Sequence, residues 1–309
     1  MRRKVPAVEI TTPLDLTLEE ESLLDMHSIL NVCNVILFEL INLESALDGG
    51  EELLEAQVEV GAVARSLGNP EAAHRAIERI DSFIAFLEEA LGSAVARQRK
   101  KGESAAVVES RANLESIFDI LRVRAREIAA RSLDPDGWVR HDINQLRNNF
   151  LNLFRAIEQN SRGGYRIVYN LAQHEEGDYY VNLQISSADG ETIRMPAVFQ
   201  DVMRDLIANA RKYTDPGGRI EAALYGGGQG LNFVVEDSGR GMNPEALSDL
   251  IDFGVRGENV PDRPTRGGGF GLTKAYYVTR KFRGRMWIAT EIGSGSRIEI
   301  RIPYPESPL

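Results

Sequence analysis

Apolar residues in the first half of the chain recur every three or four positions. This period predicts helices over residues 15–47, 51–67, 71–101, 104–132 and 135–162. Gly49-Gly50, Gly68-Asn69-Pro70 and Asp134-Pro135 punctuate them, with Asp134 placed as an N-cap and Pro135 at the first helical position. In the last of these helices Val139, Ile143, Leu146, Phe150, Phe154 and Ile157 fall on one face. Long helices with short connections predict an antiparallel bundle. After Ser161-Arg-Gly-Gly164 the period changes. Arg166–Leu171 and Tyr179–Ile185 read as paired strands, and Arg219–Tyr225 with Leu231–Glu236 as a hairpin. Phe199–Tyr213 and Phe270–Phe282 read as helices, and Met286–Glu291 and Arg297–Ile302 as closing strands. The fold class expected is therefore α+β: an all-α bundle over residues 1–162, then an α/β sandwich over 163–309.

Glycine marks the same division. Seven of the 28 glycines precede residue 163, whereas 17 lie between Gly217 and Gly295, so the second half is where backbone approaches something closely. Hydrophobic residues make up 43% and charged residues 27%, a globular balance that excludes wholesale disorder. The net charge of -10, without a basic block, argues against a nucleic-acid partner or an anionic membrane surface. Cys33 is the single cysteine, which excludes an intramolecular disulfide and a cysteine-based zinc site. The opening MRRKVPAVEITTP has no apolar core of a signal peptide. The most apolar stretch, Ile29 to Leu43, is broken by Asn31, Asn34, Glu39 and Asn42, so no membrane span and a cytoplasmic location are expected.

Three segments carry candidate chemistry. In DLIANARKYT, residues 205–214, Asp205, Asn209 and Lys212 share one helix face. An amide oxygen can bind a hard cation and an ammonium can neutralise phosphate; the same pattern also suits a solvated helix face. In VVEDSGRGM, residues 234–242, an apolar strand ends in Asp237, followed by Gly239 and Gly241. A carboxylate there can accept a hydrogen bond from an exocyclic amine, and the glycines admit a flat ligand; a plain turn would read alike. In RGGGFGLTKAYYV, residues 266–278, Gly267, Gly269 and Gly271 alternate before a helix. Free N–H groups and the helix dipole then favour an anion, although a flexible loop shows the same letters.

Taken in order, these segments resemble the ATPase domain shared by sensor histidine kinases, type II topoisomerases, chaperone ATPases and mismatch-repair ATPases, and the sensor histidine kinases fit best. DLIANARKYT resembles their N box, which implies Asn209 as the magnesium ligand and Lys212 and Tyr213 on the phosphate side. EDSGRGM resembles the G1 box, with Asp237 reading adenine beside Gly239 and Gly241. Ile251-Asp-Phe-Gly-Val-Arg256 resembles the F box through Phe253 and Arg256. GGGFGL resembles the G2 box, with Gly267, Gly269, Phe270, Gly271 and Leu272 at the nucleotide. The resemblance covers residues 163–305 and implies ATP and Mg2+ as ligands, with a lid over Asn243 to Arg266. One departure is Asp205, where most kinases of the family carry Asn and the hydrolytic relatives Glu; it is placed to polarise a nucleophile or a water.

The resemblance further implies a phosphoacceptor histidine on a bundle helix, a homodimer formed through the bundle and a response regulator receiver domain as partner. His27 opens HSILNVCNVI, similar to an H box, with Asn31 and Asn34 beside it on a polar strip. Ser28 stands where the family has an acid, and Val32 where it has proline. His141 opens HDINQLRNNF with an adjacent acid, Asp142, and is expected to be exposed opposite its helix's apolar stripe. The expectation is a protein-histidine kinase that phosphorylates His27 with help from Asp205. The alternative is an ATP-binding protein of the same fold without histidine autophosphorylation, either a serine-directed kinase or a binding module.

Overall fold

The computed structural model describes residues 5–47, 50–98, 105–160, 164–255 and 269–305. The described chain divides into two compact units. Residues 15–134 form one; the residues up to 14 and from 135 onward form the other. The division falls at 135 rather than at 163, because the helix ahead of 160 packs on the sheet that follows it.

The first unit is a helical bundle of α1 (Leu18–Asp25), α2 (His27–Ala46), α3 (Glu51–Ser66), α4 (Pro70–Glu78), α5 (Ile80–Gln98) and α6 (Ala105–Ser132). Two of the long helices expected from sequence are broken, at Met26 and at Arg79. Both residues leave helical geometry, with ψ of 4° and 9°, while the apolar period runs on across the break. Thr17 caps α1 through a capping box with Glu20, and Asn69 caps α4 ahead of Pro70. The bundle core gathers Ile29, Cys33, Ile36, Leu40 and Leu43 from α2, which packs against α3 and α6. By length and composition α2 is apolar enough to cross a membrane; here one of its faces is buried in the bundle.

The second unit is a seven-stranded mixed sheet with helices. Its elements are β1 (Val8–Ile10), β2 (Trp138–Asp142), α7 (Ile143–Asn160), β3 (Ile167–Val168), β4 (Tyr179–Ser187), β5 (Thr192–Pro196), α8 (Phe199–Tyr213), β6 (Arg219–Gly227), β7 (Gly230–Asp237), α9 (Phe270–Lys281), β8 (Arg285–Glu291) and β9 (Gly295–Pro303). The sheet order is β1-β8-β9-β7-β6-β4-β3, while β2 and β5 form a separate antiparallel pair. The fold class is α+β, as the periodicity predicts. Alternating residues of β6, β7, β8 and β9, among them Ile220, Phe233, Met286 and Ile300, enter one core with Val202, Met203, Leu206 and Ile207 of α8 and Val278 of α9.

The helix expected over 135–162 begins only at Ile143. The carboxylate that caps it belongs to Asp142, whose Oδ1 accepts from Gln145 N at 2.7 Å, and not to Asp134. Residues 138–142 are strand instead, with His141 opposite Ile193 of β5. A strand of five residues without alternating burial leaves no period to read, and its pairing partner lies some fifty positions away in sequence.

Candidate functional site

α8 turns its apolar face, Phe199, Val202, Met203, Leu206, Ile207 and Ala210, to the sheet. Asp205, Asn209 and Lys212 are left on its other side, each half-buried. The helix stops at Thr214, whose Oγ1 donates to Ala210 O at 2.7 Å.

The loop after β7 packs on that helix end. Arg240 N donates to Tyr213 O at 3.1 Å. A Cβ built on Gly239 would stand 2.3 Å from the same carbonyl, so only glycine fits. Gly241 adopts φ +66°, and a Cβ there would lie 2.0 Å from Glu291 O. On its far side the loop is held by Met242 N donating to Thr290 Oγ1 at 2.8 Å and by Gly293 N donating to Arg240 O at 2.7 Å. Asp237 at the end of β7 is thus fixed, and its Oδ1 accepts from Gly239 N at 2.8 Å. Burial pushes the Asp237 carboxyl up to about 6, opposed by the Gly239 and Ser296 N–H groups. A half-buried carboxylate held by two backbone N–H groups suits a ligand amine that would bond to its ionised form.

The second glycine loop reaches the same helix. Gly269, with φ +82°, takes the N-cap position of α9 in left-handed geometry. Gly271 follows in the first turn, and a Cβ on it would stand 2.7 Å from Asn209 Nδ2. Phe270 packs against Phe253 with ring centroids 4.5 Å apart, and Thr273 Oγ1 donates to Asp252 O at 3.1 Å. These contacts strap residues 252–253 to α9. Leu272 is half-buried against the core. Lys212 lies with its Nζ 5.2 Å from the centre of the Tyr213 ring. Gly267, Arg256 and the 256–266 part of the expected lid lie outside the described residues.

The residues brought together are therefore Asn209, Tyr213, Gly239 and Gly271, with Asp237 at the base of the first glycine loop. This arrangement fits a nucleotide: a recessed carboxylate for the base, glycines that let backbone approach it, and a helix N-terminus opened by Gly269 for phosphate. Among the described residues no group of three His, Cys, Asp or Glu side chains stands ready for a metal. A single amide oxygen with phosphate oxygens suits Mg2+, which seldom uses an all-protein cage.

The two histidines fare differently from their expectations. His27 opens α2 but is buried, 6% exposed, with Asn31 Nδ2 3.1 Å from its Nε2. His141 is on a strand and half-buried; its Nε2 has no hydrogen-bond partner among the described residues, and burial lowers its pKa. The expected exposure of His141 on a helix is corrected by this placement.

Sequence reasoning missed Lys274 of α9. It is 1% exposed, its Nζ 3.6 Å from Asp201 Oδ2 and 3.8 Å from Asp205 Oδ2. The readable signal was Asp201-x-x-x-Asp205-x-x-x-Asn209 on one helix face, answered by a lysine among the apolar neighbours Ala275, Tyr276 and Val278.

The family described as "Histidine kinase-, DNA gyrase B-, and HSP90-like ATPase" matches residues 194–306. Among curated relatives, the adaptive-response sensory kinase SasA of Synechococcus elongatus is 29% identical over 211 residues, 66% of this chain and 52% of that protein. The sensor histidine kinase RppB of Synechocystis sp. is 32% identical over 108 residues, 35% of this chain and 24% of RppB. The chain thus spans about half or less of the length of these relatives. Among solved structures, the catalytic domain of histidine kinase ThkA matches 54% of this chain and 97% of its own at 15% identity, with a TM-score of 0.37. With the two glycine loops closed on the Asn209 helix, residues 194–306 are similar to a histidine kinase-, DNA gyrase B- and HSP90-like ATPase domain, and the curated relatives matched through that segment are sensor kinases.

Proposed function

We propose that the chain is an ATP-dependent protein histidine kinase of a two-component system, which phosphorylates His27 and passes the phosphate to a response regulator receiver domain. The observation that carries this reading is the contact of one helix end with both glycine loops: Gly239 lies against Tyr213 O and Gly271 against Asn209. Asp237 then accepts a hydrogen bond from the exocyclic amine of adenine, most strongly as the carboxylate. Phe253, Phe270 and Leu272 supply apolar surface beside it. Asn209 would hold Mg2+ through its amide oxygen, Lys212 would neutralise phosphate charge, and the Gly269–Gly271 start of α9 would offer N–H groups. Mg·ATP supplies the γ-phosphoryl group, whose transfer needs positioning and charge neutralisation more than covalent help. A neutral imidazole nitrogen of His27 attacks the γ-phosphorus, the bond from that phosphorus to the β–γ bridging oxygen breaks, and ADP leaves. Asp205, one helical turn before Asn209, takes the imidazole proton in place of the acid that Ser28 replaces.

Because His27 is buried at the α1–α2 corner, this reading requires that corner to open before phosphorylation. Sensor kinases act as dimers, and the exposed Val35 and Ile41 of α2 support a homodimer through the bundle. The same burial favours a second reading, an ATP-binding protein of this fold whose acceptor is a serine or lies on another chain. Incubation with γ-labelled ATP separates the two. Base-stable, acid-labile label on the wild type that disappears in His27→Ala supports the first; acid-stable label on serine, or no label with ATP still bound, supports the second.

A further inference from the structure

α8 and α9 pack against one another, and their facing residues form a ladder. Asp201, Asp205 and Asn209 are spaced by four on α8; Gly271 and Lys274 are spaced by three on α9. Gly271 meets Asn209, and Lys274 meets Asp205 and Asp201, so the helices run antiparallel across this seam. The rung nearest the glycine loop is small against polar. The next rung is ionic and almost closed to water: Lys274 is 1% exposed, Asp201 4% and Asp205 17%. Arg204 pairs with Asp201, which makes two carboxylates and two cations in all. Lys274 Nζ makes no hydrogen bond among the described residues, so what holds it there is charge.

An ammonium buried in this way costs free energy unless a carboxylate answers it, and removing one partner of such a pair leaves an uncompensated charge. Lys274 stands between the two carboxylates, 3.6 Å from Asp201 Oδ2 and 3.8 Å from Asp205 Oδ2, and it shares Asp201 with Arg204. Asp205 is also the position at which this chain departs from the Asn of most sensor kinases.

We propose that Lys274 is a positioning residue of the nucleotide site: by pairing with Asp205 across the α8–α9 seam, it fixes the Asn209 helix against the Gly269–Gly271 loop and so sets the phosphate cradle. This rests on the reading of that site as a Mg·ATP site. Lys274 touches no phosphate in this account; it acts through Asp205 and through the spacing of the two helices.

The test is a double-mutant cycle on the full chain with Lys274→Met, Asp205→Asn and the double variant. Mg·ATP affinity is measured by calorimetry, and the melting temperature is measured without nucleotide. Lys274→Met is expected to weaken Mg·ATP binding by about tenfold or more, equivalent to about 1.4 kcal/mol or more, and to lower the melting temperature. The double variant, in which a neutral Asn needs no counter-ion, is expected to bind within about threefold of Asp205→Asn alone. Wild-type affinity in Lys274→Met overturns the proposal whatever happens to its melting temperature. Losses that simply add in the double variant overturn it too. If Lys274→Met alone fails to fold, a folded, binding double variant supports the pairing, and an unfolded one overturns it. A wild type that does not bind Mg·ATP removes the nucleotide reading instead. The cycle in melting temperature of the free protein then decides whether Lys274 and Asp205 are coupled.

Discussion

In the sheet unit, the residues singled out for chemistry also build the fold. Asp237 receives the Gly239 N–H, Gly241 passes under Glu291 O, and Gly271 lets α9 close on Asn209. In the helical unit the singled-out residue, His27, is one more buried side chain at a helix start, and its neighbour Asn31 occupies its ring nitrogen. The difference teaches where a site can be read locally. A glycine announces close backbone approach by its residue type alone, even where the carbonyl it meets is far off in sequence, as Glu291 O is from Gly241. A histidine that must meet a phosphate depends on exposure, which tertiary packing decides.

The two units' glycines sharpen this comparison most strongly. Gly241→Ala combines a positive φ with a Cβ driven to 2.0 Å from Glu291 O, so the sheet unit should lose more than about 2 kcal/mol, seen in urea unfolding. A Cβ added to Gly92 of α5 would meet nothing within 4 Å, and Gly92→Ala should stabilise the helical unit by about 0.5–1 kcal/mol. Equal effects at the two positions would break the contrast.

Asp237→Asn comes next in size. Adenine recognition loses a charge-assisted bond, so ATP affinity should fall by about 1–2 kcal/mol in calorimetry. The free protein should respond in the opposite direction. A carboxyl raised from 3.8 to about 6 binds its proton more tightly folded than unfolded. The stability this provides is fully present below pH 3.8 and is lost as pH rises through about 6, so at neutral pH the buried charge is a burden. The neutral amide removes it, and a gain on the order of 1–2 kcal/mol in urea unfolding is expected. A variant that both binds ATP normally and unfolds normally would show that Asp237 is not the recessed acid of the site.

The same carboxyl sets a pH dependence. ATP affinity should be flat above pH 7 and fall as pH drops through about 6, where Asp237 takes a proton, and Asp237→Asn should abolish that slope. The smallest effect belongs to the helical unit. Cys33 is buried with its thiol pushed up to about 12, so a thiol reagent should leave it unmodified until the bundle is unfolded. Rapid alkylation of the native protein would mean that α2 is not the core helix of its unit.

Much of the sheet unit is legible in sequence because its motifs double as element boundaries. Asp237 ends β7, Gly269 starts α9 and Tyr213 ends α8. What escapes is whatever depends on a distant partner. β1 exists because Val8–Ile10 pair with Met286–Ile288, nearly the whole chain away. β2 exists because it meets β5, and a helix-like spacing of Val139 and Ile143 hides it. The burial of His27 and the ion pairing of Lys274 are likewise set by neighbours that no local pattern names.

The most direct measurement is a titration of Mg·ATP into 15N-labelled protein followed by NMR of backbone and side-chain amides. The expected result is that the Gly239, Gly241 and Gly271 amides and the Asn209 side-chain amide shift together on one binding curve. No saturable shift at those four residues, or saturable shifts confined to the helical unit, would contradict the account of where this protein holds ATP.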